Sequence, residues 1–530
     1  MDTNAPSLPP QGPLFDVVVV GGGINGCGIA RDLAGRGARV LLVEQHDLAA
    51  HTSSASTKLI HGGLRYLEYG EFGLVRKALQ EREVLLRAAP HLIQPLTFVM
   101  PHDPGMRPAW MIRIGLWLYD HLARRELLPA STALDLRQHP AGQPLRDGWT
   151  RAFAYADGWV DDARLVVLNA LDAAQRGAVV APRTRCTGLQ RHAQHWMVTL
   201  QPDGGAPVTV RTRAVVNAAG PWAEQLLREH AGLPPRRHLR LVRGSHIVVP
   251  RLFAHDAAYL LQARDRRVIF AIPFEQRYTL VGTTDVEHHA GLDAVAIDAD
   301  ETAYLCAEVS RYFRRAITPD DVVWHYSGVR PLLDDEHGNP AAVTRDYRLE
   351  LDTAGAPLLT VWGGKITTFR TLAEEAAQRL AAPLALRGAP WTRAAPLPGG
   401  DLERVVGPCA TPMQALQRYR AHLQRRWPWL DAAVVHRWAR AYGTLALDWL
   451  EPARGPHDLG RQVAPGLFEA ELQHLHRREW ARDADDVLWR RTKLGLHLEA
   501  AQRTAVADWL QRLPPPDKPL APLERGAGCH

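Results

Sequence analysis

The stretch from Phe15 to Glu44, FDVVVVGGGINGCGIARDLAGRGARVLLVE, leaves this chain few ways to fold. Asp16 to Val20 is a short apolar, β-branched run, which predicts a buried parallel strand. Gly21, Gly23 and Gly26 then spell G-x-G-x-x-G around Asn25. Ile24, Ile29 and Leu33 follow at helical spacing, Gly35 and Gly37 stop the helix, and Arg39 to Val43 predicts a second strand ending in Glu44. In a dinucleotide-binding unit the first glycine makes the tight turn. The second admits backbone to a pyrophosphate, and the third lets helix pack on strand. The helix N-terminus offers free N–H groups and a favourable dipole to the anion. Glu44 is placed to accept hydrogen bonds from ribose hydroxyls. A lone glycine motif says little, but strand, helix, strand and terminal acid here fall in register within a unit of ~30 residues. The acid disfavours a 2′-phosphate and leaves both FAD and NAD open.

At 530 residues the chain has room for two or three domains and a large core. It is 46% hydrophobic and 23% charged, as folded globular proteins are. The net charge of +6 suits anionic substrates or anionic lipid. No basic block is present, which argues against a nucleic-acid reader. Cys27, Cys186, Cys306, Cys409 and Cys529 are far apart, so neither a zinc site nor a disulfide framework is expected, and a reducing cytosol fits. Residues 1–13 lack the charged start and apolar centre of a signal peptide and read as a flexible leader. No apolar run reaches the ~18 to 20 residues of a spanning helix. A cytoplasmic or peripheral protein is expected.

Beyond Glu44 the loop is dense in hydroxyls and glycine. Thr52, Ser53, Ser54, Ser56 and Thr57 offer hydrogen bonds to a phosphate or ring, and His61-Gly62-Gly63-Leu64 lets backbone approach a flat ligand. Residues 74–89 predict an amphipathic surface helix, and 95–101 a strand. Residues 108–125 are apolar on nearly all sides and carry Trp110, Trp117 and Arg124, which fits either a membrane interface or a buried helix. A helix is expected over 163–176, antiparallel strands around 179–210, and a buried strand over 214–217. Alternating strands over 239–288 predict an antiparallel sheet. A strand over 358–362 leads through Gly363-Gly364-Lys365 into a helix, another anion-friendly end. After the linker at about residue 390 the pattern turns helical. The tail 514–530 reads as disordered.

GGGINGCGIARDLAGRG, TSSASTKLIHGGLRYLE, PAWMIRIGLWLYDHL, GSHIVVP, VGTTD, YSGVRPL, TRDY, GGKITTFR and DADDVLWRRTK, in that order, resemble the bacterial FAD-dependent glycerol-3-phosphate dehydrogenases over nearly the whole chain. The resemblance implies an α/β fold. Its parts would be a glutathione-reductase-like Rossmann domain for FAD (14–94, 151–235 and 330–385), an antiparallel substrate cap (95–150 and 236–329) and a C-terminal α-helical domain (386–513). It implies oxidation of sn-glycerol 3-phosphate to dihydroxyacetone phosphate by hydride transfer from C2 to flavin N5. Electrons would pass to ubiquinone at the cytoplasmic face of the inner membrane, by a peripheral protein that is commonly a homodimer. An oxidase using oxygen and making hydrogen peroxide is the alternative.

The resemblance also distributes roles. His246, at the head of a cap strand, is the candidate base, since imidazole moves protons near neutrality. Arg330, Arg345 and Lys365 would line the phosphate site, with Arg65 and Tyr66 nearby; arginine suits phosphate bidentately. Arg330 or Lys365 would also stabilise a developing alkoxide. FAD would rest on Gly21, Gly23, Asn25, Gly26 and Glu44. Thr52, Ser53, Ser54, His61 to Leu64, Gly363 and Gly364 would complete its site. No metal is expected.

Overall fold

The computed structural model describes residues 14–103, 105–334 and 346–513. The leader, the tail and Arg345 lie outside the described residues.

The expected unit forms as β1 (Leu14–Val20), α1 (Ile24–Gly35) and β2 (Val40–Val43). β1 sits between β2 and strand Val208–Asn217, parallel to both, and the order continues outward to Val179–Ala181 on one side and Leu358–Trp362 on the other. Helix α1 packs between this sheet and the helices Asp162–Gln175 and Phe369–Leu384. Ile29 and Leu33 are fully buried there, which accounts for their helical spacing.

The second, 10-stranded sheet is antiparallel apart from one pair, Ala258–Gln262 beside Ile93–His102. Strand Arg151–Val160 belongs to this sheet, paired along its length with Ile93–His102. Its residues were expected in the nucleotide domain. The hydrogen-bonding partner lies about fifty positions back in the chain, and local pattern carries no trace of that choice. Beyond residue 400 the chain is helical, with one small hairpin at Gln462–Ala464 and Leu467–Phe468, around its own apolar core.

In one helix the structure differs from expectation; in another it speaks against one of the two readings. α2 (Phe72–Ala88) is more deeply set than a surface helix. Its Glu81 is buried against Arg370, and Arg82 against Asp157. α3 (Ala109–His121) is not a core helix: only Leu116 and Tyr119 are buried, while Trp110 (63%), Ile114 (50%) and Trp117 (57%) face outward.

The C-terminal region is fastened to the helix Asp162–Gln175 by buried charge. Arg164 Nη2 donates to Glu479 Oε1 at 2.9 Å with both side chains fully enclosed. Burial raises the Glu479 carboxyl, but Arg164 and His474 outweigh it and hold the group at about 2. A carboxyl depressed on folding contributes stability that is complete above its unfolded value and is lost as pH falls through the folded one. The urea midpoint should therefore fall as pH is lowered from about 5 toward 2. In Glu479→Gln that slope should be shallower; an unchanged slope would contradict the assignment.

Candidate active site

A cavity of ≈ 810 Å³ opens at the carboxyl ends of β1 and Val208–Asn217. Backbone meets backbone at its head. Gly21 has φ +116°, and a Cβ there would overlap the carbonyl of Ala218; a Cβ on Gly26 would overlap the carbonyl of Gly21. Only glycine fits either position. The N-terminus of α1 faces the cavity, where Ile24 N donates to Ser53 Oγ at 2.9 Å. Glu44 Oε2 accepts from Gly22 N at 2.7 Å and Oε1 from His46 N at 2.8 Å, while burial pushes its carboxyl upward. Glu44, His46 and His51 bring their donor atoms within 4.8 Å of one another. The carboxylate is held by amides, and the two rings bond each other at 2.9 Å, so the set is internally satisfied.

At the other end, His61, Gly63 and Leu64 line the cavity opposite Gly363, Gly364 and Lys365. Gly63 (φ +77°) packs under the Tyr66 ring, and Lys365 Nζ lies 3.9 Å from that ring's centroid. Asn25 Nδ2 donates to Gly363 O at 3.2 Å, tying this loop to the first glycine turn. Arg330 also faces the cavity, held by Thr283 Oγ1 at 2.9 Å and by Asp285. Its guanidinium crosses Gly244, where a Cβ would collide with it. Arg65, Arg330 and Lys365 thus bring three cations to one concave surface, an arrangement suited to an oxyanion.

The proposed residues do not all reach the cavity wall. His246 is 1% exposed and stacks on Tyr326 at 4.9 Å. Its Nε2 meets Thr57 Oγ1 at 3.0 Å, and it is Thr57 that lines the cavity. Burial first, then Arg330 and Lys58, hold the imidazole well below its ordinary range, so it is neutral. Ser54 turns its hydroxyl to His51 O, and Gly62 N donates to Tyr119 Oη; both sit behind the wall. Thr52 lines it while donating to Val329 O at 2.7 Å.

The profile of the "FAD dependent oxidoreductase" family matches residues 16–370, and that of the "C-terminal domain of alpha-glycerophosphate oxidase" matches 390–513. The chain is 49% identical to a Pseudomonas aeruginosa glycerol-3-phosphate dehydrogenase, covering 96% of this chain and 97% of that one. It is also 47% identical to the aerobic glycerol-3-phosphate dehydrogenase of Escherichia coli, covering 93% and 97%. The chain belongs to the FAD-dependent glycerol-3-phosphate dehydrogenase family. A D-erythritol 1-phosphate dehydrogenase from Brucella abortus is 49% identical as well, over 93% and 97%. The solved glycerol-3-phosphate dehydrogenase of Bacillus halodurans in complex with FAD shares the fold at a TM-score of 0.72, with 24% identity and 97% coverage of both chains.

FAD is the cofactor of this family, and the cavity fits it. Glycine backbone lines the turn and a helix N-terminus faces inward. Asn25 keeps a buried Oδ1 with no hydrogen-bond partner, an acceptor left for a ligand donor. Sequence reading missed Thr184 and Arg185 near Glu44, and Thr283 and Asp285 around Arg330. The last two stand in the VGTTD motif, whose order alone was a signal; the first pair carried none. Gly26→Ala should cost about 1–3 kcal/mol by overpacking and release FAD on purification. A yellow variant with the parent melting temperature would contradict this.

Proposed function

We propose that the protein oxidises sn-glycerol 3-phosphate to dihydroxyacetone phosphate and passes the electrons to ubiquinone. Gly21, Gly23, Glu44, Gly363 and Gly364 would hold FAD, which would supply at N5 the acceptor for the C2 hydride. The observation that carries this reading is the convergence of Arg330, Lys365 and Arg65 on the cavity that the glycine turn opens. Arg330 and Lys365 bind the phosphate and orient C2, with Asp285 and Thr283 fixing the Arg330 fork. His246 receives the C2 hydroxyl proton through the Thr57 hydroxyl, which stands between the imidazole and the cavity. Being neutral at pH 7, it is ready to accept. Arg345 is retained as a phosphate ligand on the resemblance alone.

Relatives named for glycerol 3-phosphate and for D-erythritol 1-phosphate are equally similar, which supports a phosphorylated polyol as the substrate class. With a quinone analogue as acceptor, kcat/KM should be highest for sn-glycerol 3-phosphate and at least about 100-fold lower for glycerol, since the phosphate's binding energy is lost. Preference for the four-carbon ester would reassign the substrate. Hydrogen peroxide formation in air at the rate of quinone reduction would favour the oxidase reading that the C-terminal profile's description raises. Arg330→Met should lower kcat/KM by about 100-fold or more, as loss of a charge-assisted contact does.

The acid limb of kcat/KM should lie below pH 6.5, the ordinary imidazole value, because His246 is depressed. A limb above that value would remove His246 from the role. The outward face of α3 supports docking on the cytoplasmic face of the inner membrane, with Trp110 and Trp117 at headgroup depth. Among the described residues no helix is long and apolar enough to cross a membrane. Replacing Trp110, Ile114 and Trp117 by serine should abolish co-sedimentation with anionic vesicles and leave soluble-acceptor turnover unchanged.

A further inference from the structure

The motif DADDVLWRRTK, residues 483–493, carries no part of the reaction, yet it is dense in charge that the fold hides. Asp47 is buried near the start of the strap 44–58 and accepts from Arg490 Nε at 2.6 Å, Arg491 Nη1 at 2.6 Å and Arg491 Nη2 at 2.8 Å. Adjacent residues of a regular helix point about 100° apart and do not share one carboxylate. Here they do, on the π-helical turn Asp486–Arg491, a widened turn of the sort that recurs at functional sites.

The same turn grips a second point. Asp486 accepts from Arg183 Nη2 at 2.9 Å, and Asp483 pairs with the same arginine. The backbone on either side of Arg183 is bound to the strap: Arg183 N donates to His46 O and Thr184 N to Glu44 O. At the far end, Lys493 Nζ reaches Asp161 at 3.2 Å; the neighbouring Asp162 takes Lys58 Nζ at 2.7 Å and Ser56 Oγ at 2.7 Å. Ala49, Lys58 and Arg183 on one side of this interface, and Trp480 and Lys493 on the other, all have φ between +52° and +61°. Non-glycine residues hold that conformation when surrounding contacts over-determine it.

Along the strap, Glu44, His51, Thr52, Ser53 and Thr57 face the cavity. We propose that residues 483–493 are a clamp that holds the strap in its FAD-binding shape, so that docking of the C-terminal domain and retention of FAD are coupled. Asp47, Arg490 and Arg491 do not line the cavity and act as positioning residues. The inference rests on FAD lying along the strap.

The test is the FAD dissociation constant of the apo-protein, followed by flavin fluorescence. Arg491→Met and Asp47→Asn should each raise it by about tenfold or more, because each leaves a buried charge or its hydrogen bonds unpaired. Arg491→Lys should fall between. The double variant should be no worse than the poorer single one, as for two ends of one contact. Arg437→Met breaks a pair with Glu471 inside the C-terminal domain. It should lower the melting temperature and leave the dissociation constant within about twofold, which a merely structural role for Arg491 would not distinguish. Should Arg491→Met not fold, Asp483→Asn and Lys493→Met leave the Asp47 pair intact and read the same constant. Values within about twofold of wild type in all clamp variants would overturn the proposal. Gly23→Val separates the two readings: loss of FAD there with intact clamp variants refutes the clamp alone, whereas wild-type FAD binding in Gly23→Val refutes the placement of FAD.

Discussion

The contact on which the cofactor end depends is one where backbone meets backbone. The Gly21 carbonyl occupies the space a Gly26 side chain would need, and the Ala218 carbonyl the space a Gly21 side chain would need. With those spaces empty of side chains, α1 starts directly against β1 and Val208–Asn217. Its N-terminus then faces the cavity, with Ile24 N bonded to Ser53 Oγ. The first sheet, the Asn217–Trp222 turn and the Gly363-Gly364 turn all close around that point. The cavity is a consequence of parallel strand order, which brings the carboxyl ends of β1, Val208–Asn217 and Leu358–Trp362 together.

The second sheet supplies part of the wall of a cavity the first sheet defines. Strands Leu239–Pro250 and Trp324–Leu333 run antiparallel with His246 opposite Tyr326 and Val242 opposite Arg330. This register carries the Arg330 guanidinium across Gly244, toward Thr283 and Asp285, and stacks Tyr326 on the His246 ring. Tyr119 links the site to the outward helix, since its hydroxyl meets Asp157 and Gly62 N while Trp117 and Ile114 point away.

Much of this was legible in the sequence because it is local. The β1–α1–β2 unit, the strands over 239–288 and the Gly363-Gly364 turn are each written in consecutive residues, and the order of motifs named the family. What was not legible depends on partners distant in the chain. Glu81 and Arg82 read as surface charge until Arg370 and Asp157 are seen opposite them, and the Arg164–Glu479 pair spans more than 300 residues. α3 has a composition that fits a core helix or an interface helix, and only the fold leaves its aromatic face uncovered. His246 was recognised from its motif, but Thr57 between it and the cavity is set by tertiary packing. The function of DADDVLWRRTK had no local signal at all, since its targets lie more than 300 residues earlier.

The most direct test of the account is anaerobic absorbance of the purified holoprotein on addition of sn-glycerol 3-phosphate. Loss of the oxidised-flavin band at ~450 nm, with one equivalent of dihydroxyacetone phosphate per flavin, is the predicted result. A spectrum unchanged by sn-glycerol 3-phosphate, in protein whose flavin is bleached by dithionite, would contradict it.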